Sequence, residues 1–250
     1  MSSFDKSKYV HGVFSRISDK YDVMNDLGSL GFHRIWKAKM VKELAKAQPK
    51  RILDIACGTG DIAIALAKAL PAAEVIGLDF NGAMLQVANS RAAAELGHGF
   101  IIEGSDDTLA KSTNKLHFVV GNAMELPFAN ESFDAACISF GLRNMPDYAQ
   151  VLKEIFRVLK PKGKLYCLEA SYPTHKLVRS PFKLYFKHWL PTLAKLVVNS
   201  PEEYAWLNTS TEAFLSKDEL AFLMESTGFA SVSYKSFLSG AAALHHGTKG

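Results

Sequence analysis

Asp54, Gly58, Gly60, Asp61 and Asp79 are the residues whose types and spacing first suggest chemistry. Gly58 and Gly60 bracket Thr59 in the string Arg51-Ile-Leu-Asp-Ile-Ala-Cys-Gly-Thr-Gly-Asp61. Glycines one residue apart let the main chain take positive φ and let a ligand approach where a Cβ would clash. Asp79 follows Gly60 by nineteen residues, close to the ~20 at which a carboxylate meets ribose hydroxyls in nucleotide-binding α/β proteins. The pattern asks for a nucleoside ligand. Gly58-x-Gly60-x-x-Ala63 also fits a loose dinucleotide fingerprint, which keeps an NAD-dependent oxidoreductase in play. The charges weigh against a pyrophosphate: Asp61 falls in the first turn of the following helix, where it caps the dipole and repels phosphate, and Asp54 can brace loop N–H groups or attract an ammonium. S-adenosylmethionine, with an amino-acid head, a sulfonium and no phosphate, suits those charges.

These residues need strands that end together. Ile52, Leu53, Ile55 and Ala56 make the short apolar run of a strand covered on both faces, and the Ala-rich stretch from Asp61 to Leu70 is helix-forming. Glu74 to Asp79 reads as the next strand, and Gly82 to Leu96 as its helix, with Asn81 either its cap or a ligand contact. Leu116 to Val120 and Phe133 to Ser139 are further strands, and the loops they feed carry Gly121-Asn122-Ala123 and Phe140-Gly-Leu-Arg143-Asn144. In an open α/β sheet such loops share one crevice, where Asn122 and the Ala123 N–H could meet an adenine edge; turn formation is the alternative for Asn122. Asp147 to Lys160 is helical and stopped by Pro161-Lys-Gly163, Lys164 to Ala170 is a fifth strand, and Lys217 to Ser226 a later helix. Val232 to Phe237 and Gly240 to His246 close the chain as an antiparallel pair. Alternating strand and helix predict a doubly wound, mostly parallel sheet in one domain over 1–250. Within it, 1–48 forms a helical lid, 49–170 a cofactor-binding core, and 171–250 substrate-side helices and closing strands.

The lid carries Val10, Phe14, Ile17, Tyr21, Met24 and Leu27 at helical spacing, then the breaker-rich stretch Asn25 to Gly31, then a helix from His33 to Ala47. Gly97 to Lys115 reads as an exposed polar insertion. From Tyr172 to Asn208, Phe182, Tyr185, Phe186, Trp189, Tyr204 and Trp206 interleave with basic residues. That composition suits a membrane surface, an apolar substrate, or plain helix packing with lysines snorkelling.

With 250 residues, 48% hydrophobic and 22% charged, the chain is an ordinary globular protein, and its net charge of +4 is too small and scattered to suggest nucleic acid. Cys57, Cys137 and Cys167 lack metal-ligand spacing and lie in or beside apolar runs, so no metal is expected and the thiols read as free, in a reducing compartment. Without an N-terminal apolar h-region or a run of ~18 apolar residues, the expected location is cytoplasmic, at most peripheral at the inner face of the membrane.

Several strings together resemble one family over nearly the whole chain: Tyr21-Asp-Val-Met-Asn-Asp26 with His33-Arg34-x-Trp36-Lys37, Asp54 to Asp61, Gly121-Asn-Ala, Ser139-Phe-Gly-Leu-Arg-Asn144, Arg157-Val-Leu-Lys-Pro-x-Gly163, Leu168-Glu169 and Ala243-Leu-His245-x-Gly247. The sequence is similar to the ubiquinone/menaquinone biosynthesis C-methyltransferases, class I S-adenosylmethionine enzymes with a Rossmann-like sheet. That resemblance implies Thr59, Asp79, Asn122, Ala123 and Ser139 as cofactor contacts, beside Asp54, Gly58 and Gly60 of the loop. It also implies methyl transfer to a ring carbon of a polyprenylated hydroquinone, catalysed by positioning and by the local field. Arg143 is then expected to stabilise the phenolate and Asn144 to orient the other oxygen, with Tyr21 or a bound water receiving the ring proton. Tyr204-x-Trp206-Leu207 and the Lys235 to His245 string lean towards demethylmenaquinol over 2-methoxy-6-polyprenyl-1,4-benzoquinol. A non-catalytic quinone-binding protein is the alternative of another class, and a homodimer or a quinone-biosynthesis complex stays open.

Overall fold

The structure, a computed structural model, describes residues 12, 21–97, 101–102, 115–171, 184 and 209–250. Helices α1 (Tyr21–Ser29) and α2 (Phe32–Ala45) precede the sheet. Then come β1 (Arg51–Ile55), α3 (Asp61–Ala69), β2 (Glu74–Asp79), α4 (Gly82–Leu96), β3 (Ile101–Ile102), β4 (Leu116–Val120) and β5 (Phe133–Ser139). A short 3₁₀ turn (Leu142–Asn144) leads to α5 (Tyr148–Val158) and β6 (Leu159–Ala170), and the chain closes with α6 (Lys217–Thr227), β7 (Phe229–Phe237) and β8 (Ala242–Lys249).

The strands form one sheet in the order β3-β4-β2-β1-β5-β6-β8-β7. Pairs from β3 to β6 are parallel, and β8 runs antiparallel to both β6 and β7. Side chains alternate across this sheet with period two and feed two cores. Ile52, Val75, Phe118, Cys137 and Leu168 join α2, α3 and α4 on one face, while Leu53, Ile76, Val119, Ile138 and Leu165 join α5 and α6 on the other. The strand order runs outward from β1 to β2 on one side and to β5 on the other, so the loops leaving β1 and β5 part at the sheet's carboxyl edge. Doubly wound sheets bind ligands at such a point.

The expected architecture is present, with local corrections. The breaker-rich stretch does not interrupt α1 at Asn25: helix continues to Ser29, and the left-handed pair Leu30 and Gly31 makes the break, sealed by the Gly31 N–H on the Asp26 carbonyl at 2.9 Å. Inside the expected insertion, Ile101 and Ile102 pair with Phe118 and Val119 as a sheet edge. α5 ends at Val158 and β6 begins at Leu159, so Pro161 and Gly163 sit in an irregular strand beside a register shift at Phe133/Ala135. Most of the Tyr172 to Asn208 segment lies outside the described residues, as do Val10, Phe14 and Ile17.

Candidate active site

The loop after β1 is shaped by backbone conformations that the sequence permits only in part. Gly58 and Gly60 take φ of 56° and 78°, but so does a non-glycine at each of two strand ends: Ala56 after β1 at 54° and Phe140 after β5 at 55°. Left-handed non-glycine residues of this kind concentrate at functional sites. The two strained turns touch, because a Cβ added to Gly141 would lie 2.7 Å from the Ala56 Cβ. Gly77 opens the space for Cys57, whose Sγ would be 2.9 Å from a Cβ there, so this thiol is a packing residue. Burial holds its pKa, with those of Cys137 and Cys167, well above the ordinary thiol value.

A cleft of about 220 Å³ opens between these turns. Gly58, Asp79, Asn122, Ala123 and Asn144 line it, as the sequence suggested; so do Phe80, Met84, Phe140 and Met145, which it did not single out. Asp79 ends β2 half-buried, and its carboxylate accepts the N–H groups of Gly58 at 2.8 Å and Asn81 at 2.9 Å. A carboxylate offers about four lone-pair sites, so this brace is compatible with ribose hydroxyls as further donors. The Asn122 side-chain oxygen accepts the Met124 N–H at 3.0 Å, the turn role that had been left open for it, while its neighbour Ala123 is buried.

Other nominated residues stand behind the cleft wall. The buried Thr59 hydroxyl accepts from Arg91 at 3.2 Å. Gly60 turns the chain into α3, tight against Ala88 and Phe118. Asp54 is 1% exposed within β1; its Oδ1 accepts the Cys137 thiol at 3.5 Å and its Oδ2 has no partner. Burial first, and the charge of Asp61 second, push the Asp54 carboxyl up to about 8. Ser139 Oγ is a second buried atom without a partner, at the end of β5. Asp61 opens α3 and pairs with Lys37 of α2 at 2.6 Å. Burial would raise its pKa, but the Lys37 ammonium holds it below the ordinary carboxylate value.

Arg143 is where expectation and structure part. Only 5% exposed, its guanidinium donates to Glu169 of β6 at 2.5 Å and to the Phe140 carbonyl at 2.7 Å, while its main-chain N–H meets the other Glu169 oxygen at 3.2 Å. The side chain is thus turned to β6 and the strained turn, and it is Asn144 that faces the cleft while also donating to the Phe140 carbonyl at 3.3 Å. Glu169 was legible in principle: a lone carboxylate in the apolar run Leu165-Tyr-Cys-Leu-Glu169 must find a cation. Lys37 was legible likewise, as an ammonium on a helix face shared with Trp36, Met40 and Leu44. Tyr21 opens α1, but its side chain lies outside the described residues.

The donor set fits S-adenosylmethionine. Apolar walls and the Asp79 carboxylate suit an adenosyl group, and the Phe140 ring with the buried Asp54 and the half-buried Asp61 suits a cationic tail. The Asp61 carboxylate at the start of α3 takes the place where a pyrophosphate would sit, which weighs against a dinucleotide. Among the described residues no cluster of His, Cys, Asp or Glu could hold a metal ion, and no helix is long and apolar enough to cross a membrane.

Comparison with known proteins identifies the family. The model of the ubiE/COQ5 methyltransferase family matches residues 2–249. The demethylmenaquinone methyltransferase of Staphylococcus haemolyticus (strain JCSC1435) is 43% identical over 245 residues, covering 98% of this chain and 95% of that protein. Among solved structures, a methyltransferase of Thermotoga maritima that depends on S-adenosylmethionine superposes with a TM-score of 0.60 at 20% identity, covering 96% of this chain and 99% of that one. The [4+2]-cyclase SpnF superposes at 0.59 with 18% identity, covering 84% and 80%. Neighbours this distant, one of them a cyclase, speak for the fold alone.

Proposed function

We infer, from the premise that this chain belongs to the ubiE/COQ5 methyltransferase family, that it methylates a ring carbon of demethylmenaquinol with S-adenosylmethionine as donor. The observation that carries the substrate is the 43% identity to a demethylmenaquinone methyltransferase along 98% of the chain. When bound, the cofactor supplies a methyl group on a sulfonium; the chain's own residues bind, orient and exclude water. In this account Asp79 takes the ribose hydroxyls, Ala123 and Asn122 the adenine edge, and Phe140 faces the cationic sulfur. Gly58, Gly60, Thr59 and Ser139 shape the loop and strand ends around the tail.

Trp36 connects this cleft to the outside. It lies 6.4 Å from the Phe140 ring, stacks on Phe237 at 5.9 Å and on the exposed Phe32 at 6.2 Å. We assign this aromatic column to the quinol ring and its prenyl tail, with α1 and α2 as the lid they pass and the membrane surface as their source. Asn144 orients one ring oxygen. Arg143 keeps Glu169 and, with five N–H donors, offers its positive field to the phenolate; Tyr21 or a water receives the ring proton.

Incubating the pure protein with methyl-labelled S-adenosylmethionine and each reduced quinone precursor tests this. Label is expected in menaquinol, identified by mass. Label only in the methylated methoxy-benzoquinol would move the protein to the ubiquinone branch, and label in neither would overturn the substrate assignment.

A further inference from the structure

α2 lies outside the strand–helix alternation that builds the sheet, yet it delivers a charge to the cofactor loop. Lys37 is 8% exposed, and its Nζ sits 2.6 Å from Asp61 Oδ2 and 5.8 Å over the Phe140 ring. Asp61 is the first residue after the glycine loop, and Phe140 lines the cleft, so the ammonium stands between the loop and the cleft wall. An ammonium carried on an apolar helix face, with Trp36, Met40 and Leu44 buried beside it, loses much of its hydration. An ion pair in such a place seldom offsets that loss, so stability alone does not account for it. The N-terminal dipole of α3 would already favour Asp61 without a lysine.

The surrounding groups complete a charge pattern. Asp54, with its unpartnered Oδ2, is a neutral acid at neutral pH because burial raises its pKa to about 8. His33, one turn before Lys37, is kept neutral by burial and by the Lys37 charge, with its pKa lowered to about 4, and its Nδ1 shares a hydrogen bond with Ser29 at 2.8 Å. What remains is one cation and one anion side by side, with an uncharged acid behind them. That is the complement of a zwitterion, and the amino-acid head of S-adenosylmethionine is one.

We propose that Lys37 and Asp61 are the receptor for this head: Lys37 takes the α-carboxylate, and Asp61, with the Oδ2 of Asp54, takes the α-ammonium. This rests on the assignment of S-adenosylmethionine to the cleft. α2 then discriminates between adenosyl compounds, selecting those that carry a carboxylate, and the bound cofactor fastens α2 to the sheet.

Calorimetric titration of two ligands into two proteins isolates the contact. Wild type should bind S-adenosylmethionine about tenfold or more tightly than its decarboxylated analogue, which keeps the sulfonium and the amine, the scale of one charge-assisted hydrogen bond. Lys37→Met should bind the two with similar affinity, and Lys37→Arg should keep part of the preference. Because Lys37→Met leaves a half-buried anion without its cation, Lys37→Met/Asp61→Asn serves as the second variant; circular dichroism reports its folding, and it too should lose the preference. A carboxylate preference that persists in the folded variants would overturn the role of Lys37. Failure of the wild type to bind S-adenosylmethionine would instead overturn the assignment of the cleft.

Discussion

Asp54 links the binding loop to the stability of the whole chain. Its folded pKa of about 8 exceeds the ordinary unfolded value of ~3.9, so between these values the folded state binds a proton that the unfolded state has released. The stability this proton contributes is complete below about pH 4 and is lost as pH rises through 8. His33 acts with the opposite sign. Its folded pKa of about 4 lies below the unfolded value of ~6.5, so its share is complete above that value and falls away in acid. Asp54→Asn, which mimics the neutral acid, should therefore raise the urea midpoint relative to wild type by more at about pH 8.5 than at about pH 5. A difference independent of pH would mean that the carboxyl titrates normally. None of this is visible in the string Ile52-Leu-Asp-Ile55, where Asp54 reads as a loop brace or a partner for an ammonium; the shift arises because the folded sheet buries the carboxyl and brings the Asp61 charge near it, against the smaller opposing effect of the Cys137 thiol.

The turn after β5 is held by one ion pair. Glu169 on β6 grips both the guanidinium and the main-chain N–H of Arg143, and Arg143 in turn grips the carbonyl of the left-handed Phe140. Removing one partner of a buried pair costs about 3–5 kcal/mol, because the other charge is stranded. Arg143→Met and Glu169→Gln should each lower the unfolding free energy, measured by denaturant titration, by that order, and the double replacement should cost less than the two added together. Additive losses would show that the charges do not depend on each other. Sequence patterns reach elements of this kind unevenly. β1, α3, β2 and α4 were legible because apolar runs, paired glycines and the Asn81 cap are local signals, and Asn81 does cap α4 through the N–H groups of Ala83 and Met84. The direction of the Arg143 side chain was not legible, because its partner lies on the neighbouring strand and nothing within the Phe-Gly-Leu-Arg-Asn string says whether the guanidinium faces the cleft or β6. The two-residue β3 was missed for a similar reason, since its pairing with β4 is the only thing that makes it a strand.

At the scale of the molecule, the outer side of α1 and α2 is apolar where the aromatic column emerges. Leu30 is 66% and Ile35 53% exposed, with Val23 and Phe32 also open and the exposed Lys39 and Lys42 further along α2. Apolar side chains flanked by lysines match an anionic lipid surface, on which each basic residue contributes about 1 kcal/mol. The protein should co-sediment with vesicles containing phosphatidylglycerol more than with vesicles of phosphatidylcholine alone, less so at high salt, and Phe32→Ser/Ile35→Ser should reduce the binding. Equal recovery with both vesicle types would remove the membrane as the source of substrate. The opposite end of the sheet has a consequence for how the chain is made. β7 has β8 as its sheet neighbour, and β8 in turn lies between β7 and β6, so a ribosome delivers β7 before the strand that seats it. Until β8 emerges and slides between them, β6 shows an open backbone edge and β7 waits on α6. A nascent chain stalled in that interval is the form of this protein most exposed to pairing with the wrong strand, and the form for which a chaperone has most to do.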